Sequence, residues 1–359
     1  MSRIVAAMSG GVDSSVAAAL LASERGGDEV VGVWMRTHPD LGEGWEAKRS
    51  CCSAEAADDA RRVAQLLGIP FFILNVERAF GTLVIDAFAD AYLAGATPNP
   101  CQACNQYIKF DELLRRGLAT YDADQVATGH YARIERRDGR WALLRAADTN
   151  KDQTYFLWVL DQEQLSATRF PLGELTKPEV RSIAAELALP TAEKPESQEI
   201  CFVPAGDYRE LLAERRGYAG VPGPIVDGEG TVVGTHSGYA HFTVGQRHGL
   251  GVALGEAVYV REILPATNTL VIGSRDEMAQ RTFAVGDARW IAGEPPAERF
   301  ACSVRVRHRA PDVPCEVTVI GSDRLAVETE LAVWAPAPGQ AAVFYRDDEC
   351  LGGGRIAPI

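Results

Sequence analysis

The stretch that decides the fold is RIVAAMSGGVDSSVAAALL, residues 3–21. It opens on a short apolar run, breaks at Ser9, Gly10 and Gly11, and resumes as an Ala- and Leu-rich segment. This order predicts a buried strand, a tight turn and an amphipathic helix. In such a unit the first N–H groups of the helix have no partner within it, and the helix dipole adds partial positive charge at the same point. The turn is therefore an anion site at the carboxyl edge of a sheet. Gly10 and Gly11 let the backbone approach a phosphate, Ser9, Ser14 and Ser15 offer hydroxyls, and Asp13 is suited to orienting Mg²⁺ or the loop itself.

Outward from this unit, β-branched runs alternate with helical patterns up to about residue 205. Strands are predicted over 3–8, 29–35, 70–76 and 124–128, and helices over 13–24, 53–67, 78–94 and 105–117. That alternation means an α/β domain with parallel strands and crossover helices. Ser53 caps the helix that follows it, Thr176 and Glu179 form a capping box, and IERRDGRWALL reads as a hairpin turning at Asp138 and Gly139. After Cys201 the texture changes: GYAGVPGPIVDGEG is too rich in Gly and Pro for a regular element, and TLVIG, FACSVRVRH, CEVTVI, RLAVET and AAVFYR alternate as strands do. We divide the chain into an α/β domain, 1–205, a small mixed domain, 206–280, and a β-barrel-like domain, 281–359.

With 36 Lys and Arg against 49 Asp and Glu, the formal charge is -13, so any polyanion must meet a local basic patch. No apolar run approaches the ~20 residues of a membrane span, and the expected setting is cytoplasmic. Eight cysteines in 359 residues are too sparse for a disulfide scaffold. The five lysines, at 48, 109, 151, 177 and 194, complete no GxxxxGK motif followed by Ser or Thr, which disfavours kinase-type transfer of a γ-phosphoryl group. The Gly-rich GLGVALG, 249–255, lies outside any strand-helix-strand unit and reads as turns.

Two cysteine segments stand out. In TPNPCQACN the prolines stop one helix and Asn105 begins the next, so the dipole favours a thiolate at Cys104. Cys201, in KPESQEICFV, ends a predicted strand. A zinc half-site at Cys101 and Cys104 lacks a second CxxC. Cys51 and Cys52 read as packing without a role, and Cys302, Cys315 and Cys350 as core.

SGGVDSS is the motif of the PP-loop pyrophosphatases, which grip the leaving pyrophosphate while a substrate oxygen attacks the α-phosphate. SGGVDSSVAA, TPNPCQACN, KFDELL, ATGHYAR, NKDQTYFL, KPESQEICFV, FTVGQRHGLG and VFYRDDECLGGGRI together resemble the tRNA-specific 2-thiouridylases, in order and from residue 3 to the final GGGRI. The resemblance implies ATP contacts from Ala7, Met8, Ser9 and Gly10 through Gly11, Val12, Asp13 and Ser14, with Met35 and Gly129 meeting adenine and ribose. It implies adenylation of the C2 oxygen of the wobble uridine in Lys, Glu and Gln tRNAs, then displacement of AMP by sulfur. Cys201 would carry a persulfide supplied by a cysteine desulfurase or a sulfur relay. Cys104 would attack that persulfide and leave a disulfide, with direct delivery from Cys201 as the open alternative.

The same resemblance places Asn99, Pro100 and Cys101 around the target base. It assigns tRNA contacts to His130, to Lys151, Asp152 and Gln153, to Arg307 and His308, and to Gln340. Arg305, Arg307 and Arg309 alternate, so on a strand they share one face and form a basic stripe. Some family members have Asp where this chain has Cys101. Cys101, Cys104 and Cys201 could then hold a 4Fe–4S cluster, an alternative to plain persulfide chemistry. The rivals are a PP-loop ligase that uses nitrogen and needs no cysteine, and a nucleotide-sensing RNA-binding protein with a degenerate loop. A monomer is expected.

Overall fold

The computed structural model describes residues 2–24, 27–38, 53–196, 200–203 and 207–358; Cys51 and Cys52 lie outside them. The chain begins with β1 (Arg3–Ala7), helix α1 (Val12–Ser23), β2 (Glu29–Arg36), helix α2 (Ala54–Leu67) and β3 (Phe71–Asn75). It continues through β4 (Gln125–Ala127), the hairpin β5 (Ala132–Arg137) and β6 (Arg140–Arg145), and β7 (Thr168–Arg169). The first sheet runs β3-β2-β1-β4-β7 with every pairing parallel. Because side chains alternate along a strand, Ile4 and Ala6 join one core with Val16, Val63 and Val180, while Val5 joins another with Phe88, Ile108 and Leu212. Both faces of the sheet are covered, as parallel sheets require.

Three local expectations change. α1 is not amphipathic: Val12, Ser14, Ser15, Val16, Ala17, Ala18, Ala19 and Leu21 are all buried. Small side chains let it pack against α2 and helix Lys177–Glu186 as well as the sheet. The helix expected from Asn105 begins at Pro100, with Asn99 as its cap through Oδ1 accepting from Cys101 N at 3.2 Å. It runs on through a π-helical stretch, Cys104–Leu113, to Leu114–Tyr121. Cys104 therefore sits beyond the first turn, where the dipole has faded. Cys201 lies in a turn closed by Val203 N donating to Ile200 O, not at a strand end.

The hairpin turns where expected, with Asp138 and Gly139 both at positive φ, 49° and 80°. Next come β8 (Gly223–Val226), β9 (Val232–His236), β10 (Val258–Leu264) and β11 (Thr269–Ser274), ordered β10-β11-β8-β9, and GLGVALG forms no regular element. The last six strands are β12 (Ala279–Trp290), β13 (Arg299–Arg305), β14 (Val313–Val319), β15 (Leu325–Trp334), β16 (Ala341–Arg346) and β17 (Glu349–Ile356). They close into a barrel through β12–β17. The start of β17 also pairs with β6, Glu349 opposite Leu144 and Cys350 opposite Leu143, so the N-terminal hairpin is welded to the barrel. The fold is α/β with a parallel-sheet N-terminal domain and a C-terminal β-barrel.

Candidate active site

The turn after β1 is braced from within. Ser9 N donates to Ser14 Oγ at 3.1 Å, and the Ser14 and Ser15 hydroxyls donate to Gly11 O at 3.0 and 2.8 Å. Ser15 is fully buried, so its hydroxyl holds the loop and does not meet a phosphate. Ser9 is the exposed hydroxyl of the three. Gly11 caps α1 without any side-chain bond, whereas Ser53 Oγ accepts from Ala56 N at the start of α2. The uncapped N–H groups of α1 are thus available to an anion.

Gly10 has φ +73°, and a Cβ there would lie 2.1 Å from Ala56 O. Its bareness admits α2 against the loop, a role not read from the sequence. Met8 is buried and its N–H donates to Val33 O, which ties the loop to β2. Ala7 ends β1, and Met35 pairs with Leu74 one residue before β2 ends. Gly129 follows β4, and a Cβ on it would come within 2.7 Å of Ser14 N. These positions share the carboxyl edge of the parallel sheet, the ligand edge of such folds.

Asp13 Oδ1 accepts from Lys177 Nζ at 2.6 Å and from Tyr131 OH at 2.9 Å. Burial raises the Tyr131 pKa, and the Asp13 charge raises it further. Lys177 also reaches Glu196 at 2.9 Å, and Lys151 reaches the same carboxylate at 2.8 Å. Burial pushes the Glu196 pKa up, but the bonds to the two lysines outweigh it and hold the carboxyl down to about 2. Asp13 is thereby an anchor whose charge Lys177 already neutralises, which does not fit a resident metal ligand.

The thiol segment is tied down from three sides. Gln102 Nε2 donates to Tyr155 O at 3.4 Å and Asn105 Nδ2 to Phe156 O at 2.9 Å. Gln340 Nε2 donates to Thr97 O at 3.0 Å, and Thr97 N to Pro338 O at 2.7 Å. Gln340 of the barrel is so brought to the loop carrying Asn99, buried Pro100 and exposed Cys101. His308 packs on Phe156, ring centroids 4.5 Å apart, and burial followed by the Arg305 charge lowers its pKa. Cys104 and Cys201 pack against the same core cluster with Met35. Among the described residues no three Cys, His, Asp or Glu side chains gather as a metal site, so Cys101, Cys104 and Cys201 as placed do not fit a cluster.

Several residues expected to meet tRNA also bond within the protein. Asp152 is only 3% exposed and accepts from the Thr154 hydroxyl at 2.9 Å, with Arg145 at 3.4 Å and Arg305 at 3.5 Å. Its side chain joins hairpin and barrel and faces away from solvent. β13 ends at Arg305, so the three arginines do not form a strand-borne stripe. Arg305 pairs with Asp312 at 2.8 Å. Arg307 donates to Ala335 O at 3.1 Å and Val244 O at 3.4 Å, over the Trp334 ring. Gln153 Oε1 accepts from Tyr131 N at 2.9 Å. His130 is buried, its Nδ1 2.7 Å from Thr128 Oγ1 and its Nε2 3.3 Å from Lys109 Nζ. Lys177, Tyr131 and Glu196, which hold Asp13 in place, were not singled out from the sequence; the scarcity of lysine was the available signal for Lys177.

Residues 2–205 match a family model described as a tRNA methyl transferase HUP domain. Residues 209–274 match its PRC-barrel domain, and 280–356 an aminomethyltransferase β-barrel domain. Among solved structures the chain is similar to "U34-tRNA thiolase NcsA from Methanococcus maripaludis" with its 4Fe-4S cluster, at 17% identity and a TM-score of 0.37 over 60% of this chain and 67% of that one, too weak a likeness to build on. Full-length relatives are far nearer. A protein of Chloroflexus aggregans named tRNA-specific 2-thiouridylase MnmA is 51% identical over 358 residues, 99% of each chain. One of the same name from Carboxydothermus hydrogenoformans is 49% identical, covering 99% of this chain and 97% of its own. Another, from Clostridium perfringens, is 44% identical over 99% of both. With relatives this similar from end to end, the chain belongs to the tRNA-specific 2-thiouridylase family.

Proposed function

We propose that this enzyme converts the wobble uridine of tRNA to 2-thiouridine at the expense of ATP, the activity that its family membership carries. The uridine C2 oxygen attacks the α-phosphorus, an O–P bond forms, the α–β bond breaks and pyrophosphate leaves. Cys201 carries the sulfur as a persulfide. Cys104 thiolate attacks the Cys201 Sγ, the S–S bond of the persulfide breaks, and the terminal sulfur is released as sulfide. The products are a Cys104–Cys201 disulfide and a sulfide that adds to C2 and expels AMP. A thiol reductant then resets the disulfide. Magnesium accompanies ATP as part of the substrate.

One observation carries this reading: the uncapped α1 turn, Gly129 and Met35 share a sheet edge with the helix that Asn99 caps and that bears Cys104. Asn99, Pro100 and Cys101 meet the unstacked base, with Gln340 and His308 beside them. The barrel serves tRNA binding, and a desulfurase or relay protein supplies the sulfur. No helix among the described residues is long and apolar enough to cross a membrane. The test is thiolation of an unmodified tRNA transcript with ATP and a persulfide donor, read as 2-thiouridine by mercury-gel retardation. Wild type should be active and Cys201→Ser inactive. A Cys201→Ser enzyme that thiolates at the wild-type rate overturns the proposal.

A further inference from the structure

Three of the four lysines among the described residues are paired with carboxylates: Lys151 with Glu196, Lys177 with Asp13 and Glu196, Lys194 with Asp59. Lys109 is not. It is half-buried, and among the described residues its hydrogen-bond partner is His130 Nε2 at 3.3 Å. An ammonium group only donates, so Nε2 accepts and the ring proton sits on Nδ1, donated to Thr128 Oγ1 at 2.7 Å. Burial, and then the Lys109 charge, hold the His130 pKa well below its ordinary value, so the imidazole is neutral and contributes no counter-charge. Lys109 is thus a partly buried cation with no carboxylate partner among the described residues of a chain of net charge -13, and an anionic substrate would supply the missing counter-charge.

The surroundings say which anion. His130 follows Gly129, whose backbone is pressed against Asp13 and Ser14 at the start of α1. Lys109 also lies five residues after Cys104 within the π-helical stretch Cys104–Leu113. In an α-helix residues five apart point about 140° away from each other. In a π-helix they are joined by the i→i+5 hydrogen bond and sit on adjacent turns of one face. Lys109 is therefore joined through His130 to the strand end beside the nucleotide loop, and it shares a helical stretch with the thiol. The species that must lie between that loop and that thiol is the adenylated uridine, and its charge there resides on the phosphate.

Resting on the thiolation reading above, we propose that Lys109 is a catalytic cation for the second half-reaction, stabilising the phosphate as it departs in AMP. Sulfur bonds to C2, the C2–O bond breaks, and its electron pair leaves with oxygen. The singly charged diester becomes a doubly charged monoester, so the attraction to Lys109 is strongest at the moment of departure. His130 and Thr128 are positioning residues that aim the ammonium group.

The experiment is single-turnover thiolation by persulfide-loaded Lys109→Met and Lys109→Arg enzymes, with pyrophosphate release, tRNA affinity and thermal midpoint measured alongside. In Lys109→Met the pyrophosphate burst, affinity and midpoint should match wild type, while thiolation slows about 10²–10³-fold, the loss typical of one such donor. Lys109→Arg should regain roughly tenfold or more of that rate by restoring charge. Equal slowing of both half-reactions, a defect confined to tRNA affinity or midpoint, or an altered pH profile of Cys104 alkylation each overturns the assignment. A wild-type enzyme that makes no 2-thiouridine refutes the thiolation reading instead.

Discussion

Gly10 and Gly11 are adjacent and look equivalent in the motif, yet the fold makes opposite demands on them. Alanine at Gly10 must adopt φ +73°, which costs about 1–2 kcal/mol for a residue with a Cβ. Its methyl would also fall 2.1 Å from Ala56 O and 2.8 Å from Ala56 C, backbone atoms that cannot rotate aside. The first turn of α2 must retreat by roughly 1 Å in a close-packed interior. That shift weakens the Ser53 cap, which is worth about 1 kcal/mol. The sum is about 2–3 kcal/mol. At Gly11 φ is -98° and the nearest atom to a new Cβ is Ser9 Oγ at 3.5 Å. Alanine there loses only the glycine preference of a cap position, about 0.5–1 kcal/mol. Urea unfolding read by hydrogen exchange in peptides covering residues 3–23 isolates this domain from the other two. Gly10→Ala should move the midpoint well below that of Gly11→Ala. Equal midpoints for the two variants would refute the packing argument.

Asp152→Ala removes a buried carboxylate from Arg145 and Arg305, and urea unfolding should show a loss of about 3 kcal/mol. Lys151→Ala, next door but in a half-exposed pair, should cost under about 1 kcal/mol. Glu196 has a folded pKa of about 2 against an ordinary 4.5, so its stabilisation is complete above pH 4.5 and is lost as pH falls toward 2. Glu196→Gln should flatten that part of the stability curve and leave the region above pH 5 parallel to wild type.

Much of the molecule follows from local signals. Residues 3–21 dictate strand, turn and helix because the change of apolar period and the Gly-Gly break act within one segment. The Asp138–Gly139 hairpin, the Ser53 cap and the Thr176–Glu179 box are legible for the same reason: backbone sterics and hydrogen-bond satisfaction are settled by neighbours three or four residues away. Where local reading failed, a distant surface had intervened. α1 lost its polar face because α2 and helix Lys177–Glu186 enclose it, and the arginine alternation ended when β13 stopped at Arg305.

By itself, then, the sequence determined the element order, the nucleotide turn, the thiol-bearing segments and the family. Tertiary structure alone decided which polar groups meet. Gln340 reaches Thr97 across 243 residues, Lys177 reaches Asp13 across 164, and Lys109 reaches His130 from another element. Contacts at that separation leave no period or spacing in the chain; they exist because strands order as β3-β2-β1-β4-β7 and because β17 joins β12 to β6. The π-helical winding of Cys104–Leu113 likewise answers to no apolar period in the sequence.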